Sequence, residues 1–324
     1  MPKLSLYLII LVVACMACQP QPVENVPLSM IFDTDMESDV DDVGALAMLH
    51  ALADNNEIKI QGVMVCAENP WSLLCADRIN TYFNRQNIPL GQLKRPGVNR
   101  ASKYAEQVAK SFPGTLMSSK DAPDAVDQYR KILSSQPDSS VVILTVGYLT
   151  NIRDLLNSEP DNHSSLSGID LVAEKVITWV CMGGMFPSGR EANIRWDTEA
   201  SIEAITNWPV EIIFSGWEIG NMDTGSGIPQ LPDSSPVKKA YELFGHIPHK
   251  SWDQVATLFA VRGREGGSLS SYWELSEPGQ IIIDKNDGSN MWKPDLEGSH
   301  RYLIQAVSDQ EISEEIDHLM LYQP

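Results

Sequence analysis

The sequence is poor in positive charge, in cysteine and in long apolar runs, and each shortage removes a class of protein. Lysine and arginine number 24 against 43 aspartates and glutamates, a net charge of −19. A surface that anionic repels polyphosphates, which argues against nucleic acid and against anionic membrane surfaces as partners. Of five cysteines, only Cys66, Cys75 and Cys181 lie beyond an N-terminal leader. Three thiols in apolar surroundings read as buried side chains, not as a disulfide framework. The six histidines show no metal-ligand spacing, and neither an internal repeat nor a low-complexity segment is present. The one sustained apolar run, Leu4–Val13, is too short to span a bilayer. It follows Lys3 and runs into Val12-Val13-Ala14-Cys15, which resembles a bacterial lipobox; Cys15-Met16-Ala17-Cys18 is a poorer second candidate. Residues 1–18 are therefore expected to be a signal and 19–27 a tether, with residues 28–324 forming one large α/β domain. The protein is expected to be exported, periplasmic or held at the outer membrane as a lipoprotein, touching lipid only through its anchor. A plain secretory signal is the alternative.

What the chain does have is carboxylate, concentrated between Met30 and His50. Met30-Ile31-Phe32 reads as the end of a buried strand, and apolar periodicity from Val43 to His50 reads as a helix. Between them, residues 33–42 hold Asp33, Asp35, Glu37, Asp39, Asp41 and Asp42, six acids in ten positions. So many anions stay ionised in a cleft only if a cation neutralises them. Oxygen ligands favour a hard cation, Ca²⁺ or Mg²⁺. An EF-hand is excluded, because its sixth and twelfth positions call for Gly and Glu where Ser38 and Gly44 stand. A solvated acidic loop, and a phosphohydrolase with Asp33 as nucleophile and Asp35 as acid, remain as rivals. A polar loop between strand and helix sits where open α/β sheets bind ligands.

Further strands are expected at Glu57–Val65, Ser140–Val146, Lys175–Met182 and Val210–Phe214. Helices are expected from Pro70 to Asn84, from Asp197 (as N-cap) to Trp208 and over Ser251–Arg262. Residues 102–136 read as polar helix lying outside the core.

The strand-DTD-loop-DD-helix opening, VGYLTN, GGMFPSGREANIRWDTEA and SWDQVA occur in that order over about residues 28–270. Together they resemble the inosine-uridine-preferring nucleoside hydrolase family. The resemblance implies a single large domain with a central, mostly parallel sheet flanked by helices, related to the Rossmann fold. It also implies a bound Ca²⁺ and hydrolysis of the N-glycosidic bond of ribonucleosides or related ribosyl compounds, in a chain that can form a homo-oligomer, a dimer or a tetramer. On that match Asp35, Asp42, the carbonyl of Val146 and Asp253 are metal ligands, and Asp41 is the base that takes a proton from the metal-bound water. Asp33, Asn69, Glu191 and Asn193 match positions around the ribose. Two departures stand out. An apparent insertion around Met36–Val40 brings in Asp39, a rival base, and Trp252 stands where many members carry a histidine that protonates the departing base. Trp252 can stack on a base but cannot act as an acid. The loop over Met185–Arg190 is also shorter than the family's usual one. A Ca²⁺-dependent sugar or nucleoside binder without turnover is the non-enzymatic alternative.

Overall fold

The computed structural model describes residues 26–324. The leader, with Cys15 and Cys18, lies outside the described residues. The first strand, β1 (Leu28–Thr34), is the axis of the molecule. It pairs in parallel with β2 (Ile58–Val65) on one side and with β4 (Val141–Thr145) on the other. Outside β2 lies β3 (Leu90–Gln92), and outside β4 lies β5 (Val176–Met182). Because β1 is covered on both faces, its side chains feed two cores by simple alternation. Met30 and Phe32 enter one, Ile31 the other.

Beyond β5 come β7 (Glu211–Ser215) and the parallel strand His300–Gln305. The sheet then ends in an antiparallel wing, Gly279–Ile283, Asn290–Pro294 and the two-residue β6 (Ser188–Gly189). The order β3-β2-β1-β4-β5-β7 means that the chain winds outward from β1, then returns to its other side. Such a reversal opens a crevice between β1 and β4 at the carboxyl ends of the strands.

Two differences from the sequence reading have physical causes. The first helix spans Asp41–Asp54, so Asp41 and Asp42 lie in its first turn, not in the preceding loop. Acidic residues suit that turn, where free N–H groups point outward. Residues 102–136 do not lie outside the core: Tyr104, Val108, Tyr129 and Leu133 are fully buried. They are the inner stripe of the short helices Ala105–Ser111 and Ala125–Ser134 and their flanks, whose polar residues face solvent. The antiparallel wing and the last helix, Asp309–Met320, complete the domain. That helix opens with a Ser308–Glu311 capping box and packs on the first helix. Cys66, Cys75 and Cys181 are buried and free, as their apolar settings suggest. No helix of the described residues is long and apolar enough to cross a membrane.

Candidate functional site

The loop leaving β1 is pinned at both ends. Met36 adopts a positive φ of 51°. Its N–H donates to Asp42 Oδ1 at 3.1 Å, and its carbonyl accepts from Ser72 Oγ at 3.1 Å. Asp42 also accepts from the Thr34 hydroxyl, and Asp35 Oδ1 accepts from the Glu37 N–H at 3.0 Å. Glu37 is held by the Tyr148 hydroxyl at 2.9 Å and the Arg100 N–H at 3.0 Å. Gly147 lets the loop after β4 approach, since a Cβ there would lie 2.5 Å from the Asp35 nitrogen.

These constraints gather carboxylates in a cavity of about 160 Å³ at the crevice between β1 and β4. Oxygens of Asp41, Asp42 and Asp253 all lie within 4.8 Å of one another. Asp253 reaches them from the first turn of the helix Trp252–Leu258, and its N–H donates to Asp41 Oδ2 at 3.2 Å. Asp35 and Val146 line the same cavity. Burial pushes the Asp42 carboxyl up to about 7. Burial, then repulsion from neighbouring carboxylates, drives Asp35, Asp41 and Asp253 well above the ordinary range. Among the described residues, no lysine, arginine or histidine pairs with any of the four.

Buried charges are normally paired or bound to metal. Four carboxylates without a countercharge, beside a carbonyl whose second lone pair is free, fit a hard divalent cation. The Val146 carbonyl is aimed by Asn193, whose Nδ2 donates to it at 3.0 Å.

The other residues singled out in the sequence divide into two groups. Glu191, Asn193 and Trp252 line the cavity. Glu191 caps the helix Ala192–Trp196, accepting from the N–H groups of Asn193 at 2.6 Å and Ile194 at 3.1 Å. Asp33 and Asn69 do not line it. Asp33 is 1% exposed, held by the Tyr129 hydroxyl at 2.8 Å and Asn151 Nδ2 at 3.0 Å. A nucleophile for phosphoryl transfer has to face its substrate, and Asp33 does not. Asn69 closes a turn, accepting from the Trp71 N–H at 3.0 Å.

Three features escaped the sequence reading. Trp217, just past β7, lines the cavity beside Trp252, their rings 6.2 Å apart and inclined by 26°. The Trp252 indole N–H donates to the Trp217 carbonyl at 2.9 Å. Trp196 forms another wall. Lastly, Asp39 is engaged by His249 Nε2 at 2.5 Å. The rule that ligands gather past the carboxyl ends of strands would have flagged Trp217; nothing local in the sequence pairs His249 with Asp39.

The model of the inosine-uridine preferring nucleoside hydrolases matches residues 30–273. The chain belongs to that family. It is therefore a glycosidase acting on N-ribosyl bonds. Solved nucleoside hydrolases share its fold at low identity. The inosine-uridine preferring enzyme of Bacillus anthracis is 16% identical, with a TM-score of 0.68, over 90% of this chain and 99% of that one. The purine-preferring ribonucleoside hydrolase of Gardnerella vaginalis is 15% identical, with a TM-score of 0.65, over 90% and 99%. The type III effector XopQ, solved with adenosine diphosphate ribose, is 13% identical, with a TM-score of 0.66, over 91% and 94%. No curated protein sequence matches the chain.

Proposed function

We propose that this nucleoside hydrolase is a Ca²⁺-dependent N-ribohydrolase acting on a ribonucleoside or another ribosyl compound. The observation that carries the reading is the set of buried carboxylates at the sheet reversal that meet no countercharge among the described residues. Asp35, Asp42, Asp253 and the Val146 carbonyl would hold the cation. When bound, it would supply Lewis-acid charge to vicinal ribose hydroxyls and to the attacking water. An all-oxygen set with several carboxylates favours Ca²⁺ over the more strongly hydrated Mg²⁺.

Asp41 is the general base: its carboxylate takes the proton of the water that attacks the anomeric carbon. The rival base, Asp39, already accepts from His249 and from the Val40 N–H at 2.7 Å. The remaining carboxylates place negative charge where an oxocarbenium-like transition state develops positive charge. Glu191 and Asn193 border the ribose. Trp252 and Trp217 offer flat faces to the departing base but no titratable proton.

The leader supports export, with Cys15 as the lipid acceptor. Loss of fatty-acid labelling in Cys15→Ser would support that site, and loss only in Cys18→Ser would move it.

The test of the activity is release of free base and reducing sugar from a panel of nucleosides, with chelator and after metal is restored. Turnover that disappears in chelator and returns best with Ca²⁺ is the expected result. Full turnover in chelator would sink the reading.

A further inference from the structure

The helix that brings Asp253 to the carboxylate cavity leads, at its other end, to a second cleft. Trp252–Leu258 runs without a break into a wider π turn, Phe259–Gly263. Single π turns inside helices are frequent at functional sites. A Cβ on Gly263 would lie 2.7 Å from the Trp273 ring, so glycine lets this turn pack against that indole. Arg264 comes next. It lines a cleft of about 730 Å³ together with Glu211, Trp273 and Arg301. Glu211 opens β7, so this cleft sits at the amino end of that strand. The carboxylate cavity lies past the carboxyl ends, where open α/β sheets place their ligands. The two are separate sites.

What the cleft lacks is acceptors. Arg264 is half-buried, yet its guanidinium forms no ion pair and no hydrogen bond among the described residues. Burial draws its pKa below the ordinary value, and the Glu211 carboxylate offsets that only in part. Glu211 lies closer to the other arginine, 3.6 Å from Arg301 Nε. Arg301 also donates to the Ser276 carbonyl at 3.0 Å. Glu265, the second acid at the cleft, is exposed and pairs with neither arginine. Trp273 adds another unmet donor: it is 5% exposed, and its indole N–H meets no acceptor.

Buried donors are normally satisfied, and a partly buried cation is normally paired. Two unmet donors on one cleft therefore call for a ligand that brings oxygen acceptors and negative charge. A guanidinium offers such a ligand two parallel N–H groups. Phe259, Trp273 and the exposed Leu275 form the apolar part of the wall, which suits an anion carried on an organic body.

We propose that this cleft binds a small organic oxyanion, a carboxylate or a phosphate ester, on the Arg264 guanidinium, with the apolar body of the ligand against Phe259, Trp273 and Leu275. The site is distinct from the ribose cavity and needs neither the metal nor turnover.

The test titrates the full metal-loaded chain at low salt with benzoate, phenyl phosphate and uncharged phenol, read by calorimetry. The Kd of at least one anion should lie about tenfold or more below that of phenol. The tighter anion tells carboxylate from phosphate ester. Arg264→Gln should erase the preference for the anion. Asp42→Ala, expected to lose the metal, should keep it. Glu211→Gln removes a competing carboxylate and should tighten the anion about threefold while leaving phenol unchanged. That variant decides the matter if Arg264→Gln fails to fold. Anions that bind no better than phenol would overturn the proposal. So would an Arg264→Gln protein that binds them like the parent, a Glu211→Gln protein that binds them no tighter, or a preference lost in Asp42→Ala.

Discussion

Two buried carboxylate environments in this molecule are built on opposite plans. Asp77 sits in the helix Ser72–Tyr82 with both of its carboxylate oxygens engaged. It accepts from the Thr115 N–H at 2.8 Å, the Thr115 hydroxyl at 2.7 Å and the Leu116 N–H at 3.1 Å, and it pairs with Arg78. Arg78 in turn donates to the carbonyls of Ala109 at 3.1 Å and Leu116 at 2.9 Å. The cluster of Asp35, Asp41, Asp42 and Asp253 is also buried, yet among the described residues no lysine, arginine or histidine pairs with it. The first arrangement ties a surface segment to a helix. The second stores repulsion that protonation or a bound cation relieves. Burial alone does not mark a functional acid; burial without a partner does.

The sharpest way to break this contrast is to remove one acid from each. Asp42→Ala should abolish bound metal and lower turnover about a thousandfold or more, with the fold retained. Asp77→Ala strands a buried guanidinium and should lower stability by about 3–5 kcal/mol in urea unfolding, with turnover per folded molecule preserved. Full metal occupancy in Asp42→Ala would refute the ligand assignment.

Asp41→Asn should come next, keeping most of the metal while turnover falls by about two to four powers of ten. Asp39→Asn should lose far less. If the two variants exchange phenotypes, the base is Asp39.

A third test reads the stored repulsion through pH. The Asp42 carboxyl lies at about 7 in the fold against an ordinary 3.8. Below the ordinary value both folded and unfolded chains carry the proton, and burial exacts no penalty. As pH rises toward 7 the folded chain retains protons that the unfolded chain has already released, so stability falls. In chelator, Tm should therefore drop as pH rises from about 4 toward 7. Added Ca²⁺ should cancel that drop at neutral pH, because the carboxylates then have a countercharge. A Tm that rises over this interval without metal would show the cluster to be neutralised from within.

The smallest expected effect concerns the leaving group. With Trp252 unable to donate a proton, a riboside bearing an activated phenolate should be cleaved much faster than inosine or uridine. His249→Ala should leave its rate nearly unchanged, since a phenolate leaves without an acid. Equal efficiency on natural and activated ribosides would reveal a proton donor that the cavity's known walls do not supply.

The parts of the site that were legible in the sequence are those carried by short, contiguous patterns. The acids between Met30 and His50 announce themselves because strand, loop and helix follow within twenty residues. Asp253 and Asn193 were placed through ordered motifs, and both reach the cavity. Asp33 and Asn69 belong to the same motifs but serve neighbouring side chains and a turn, a distinction set by tertiary packing. Trp217 contributes from just past the end of β7, outside any of the ordered motifs, and the Asp39–His249 pair spans 210 positions. Contacts of that range leave no periodicity behind. The antiparallel wing was missed for a related reason: its strands are partly exposed, so Gly279–Ile283 and Asn290–Pro294 lack the unbroken burial of β4.

The first helix, whose opening turn carries Asp41 and Asp42, rests on Trp252–Leu258 and on the closing helix Asp309–Met320. Asp253 meets Asp41 across 212 positions. The segment richest in acid is thus among the first to be synthesised, and its supports are among the last. Through most of translation those acids remain hydrated, and an early cation finds only a fragment of its cage. A cation site built on Asp41 and Asp42 would therefore be complete only once Asp253 has joined them.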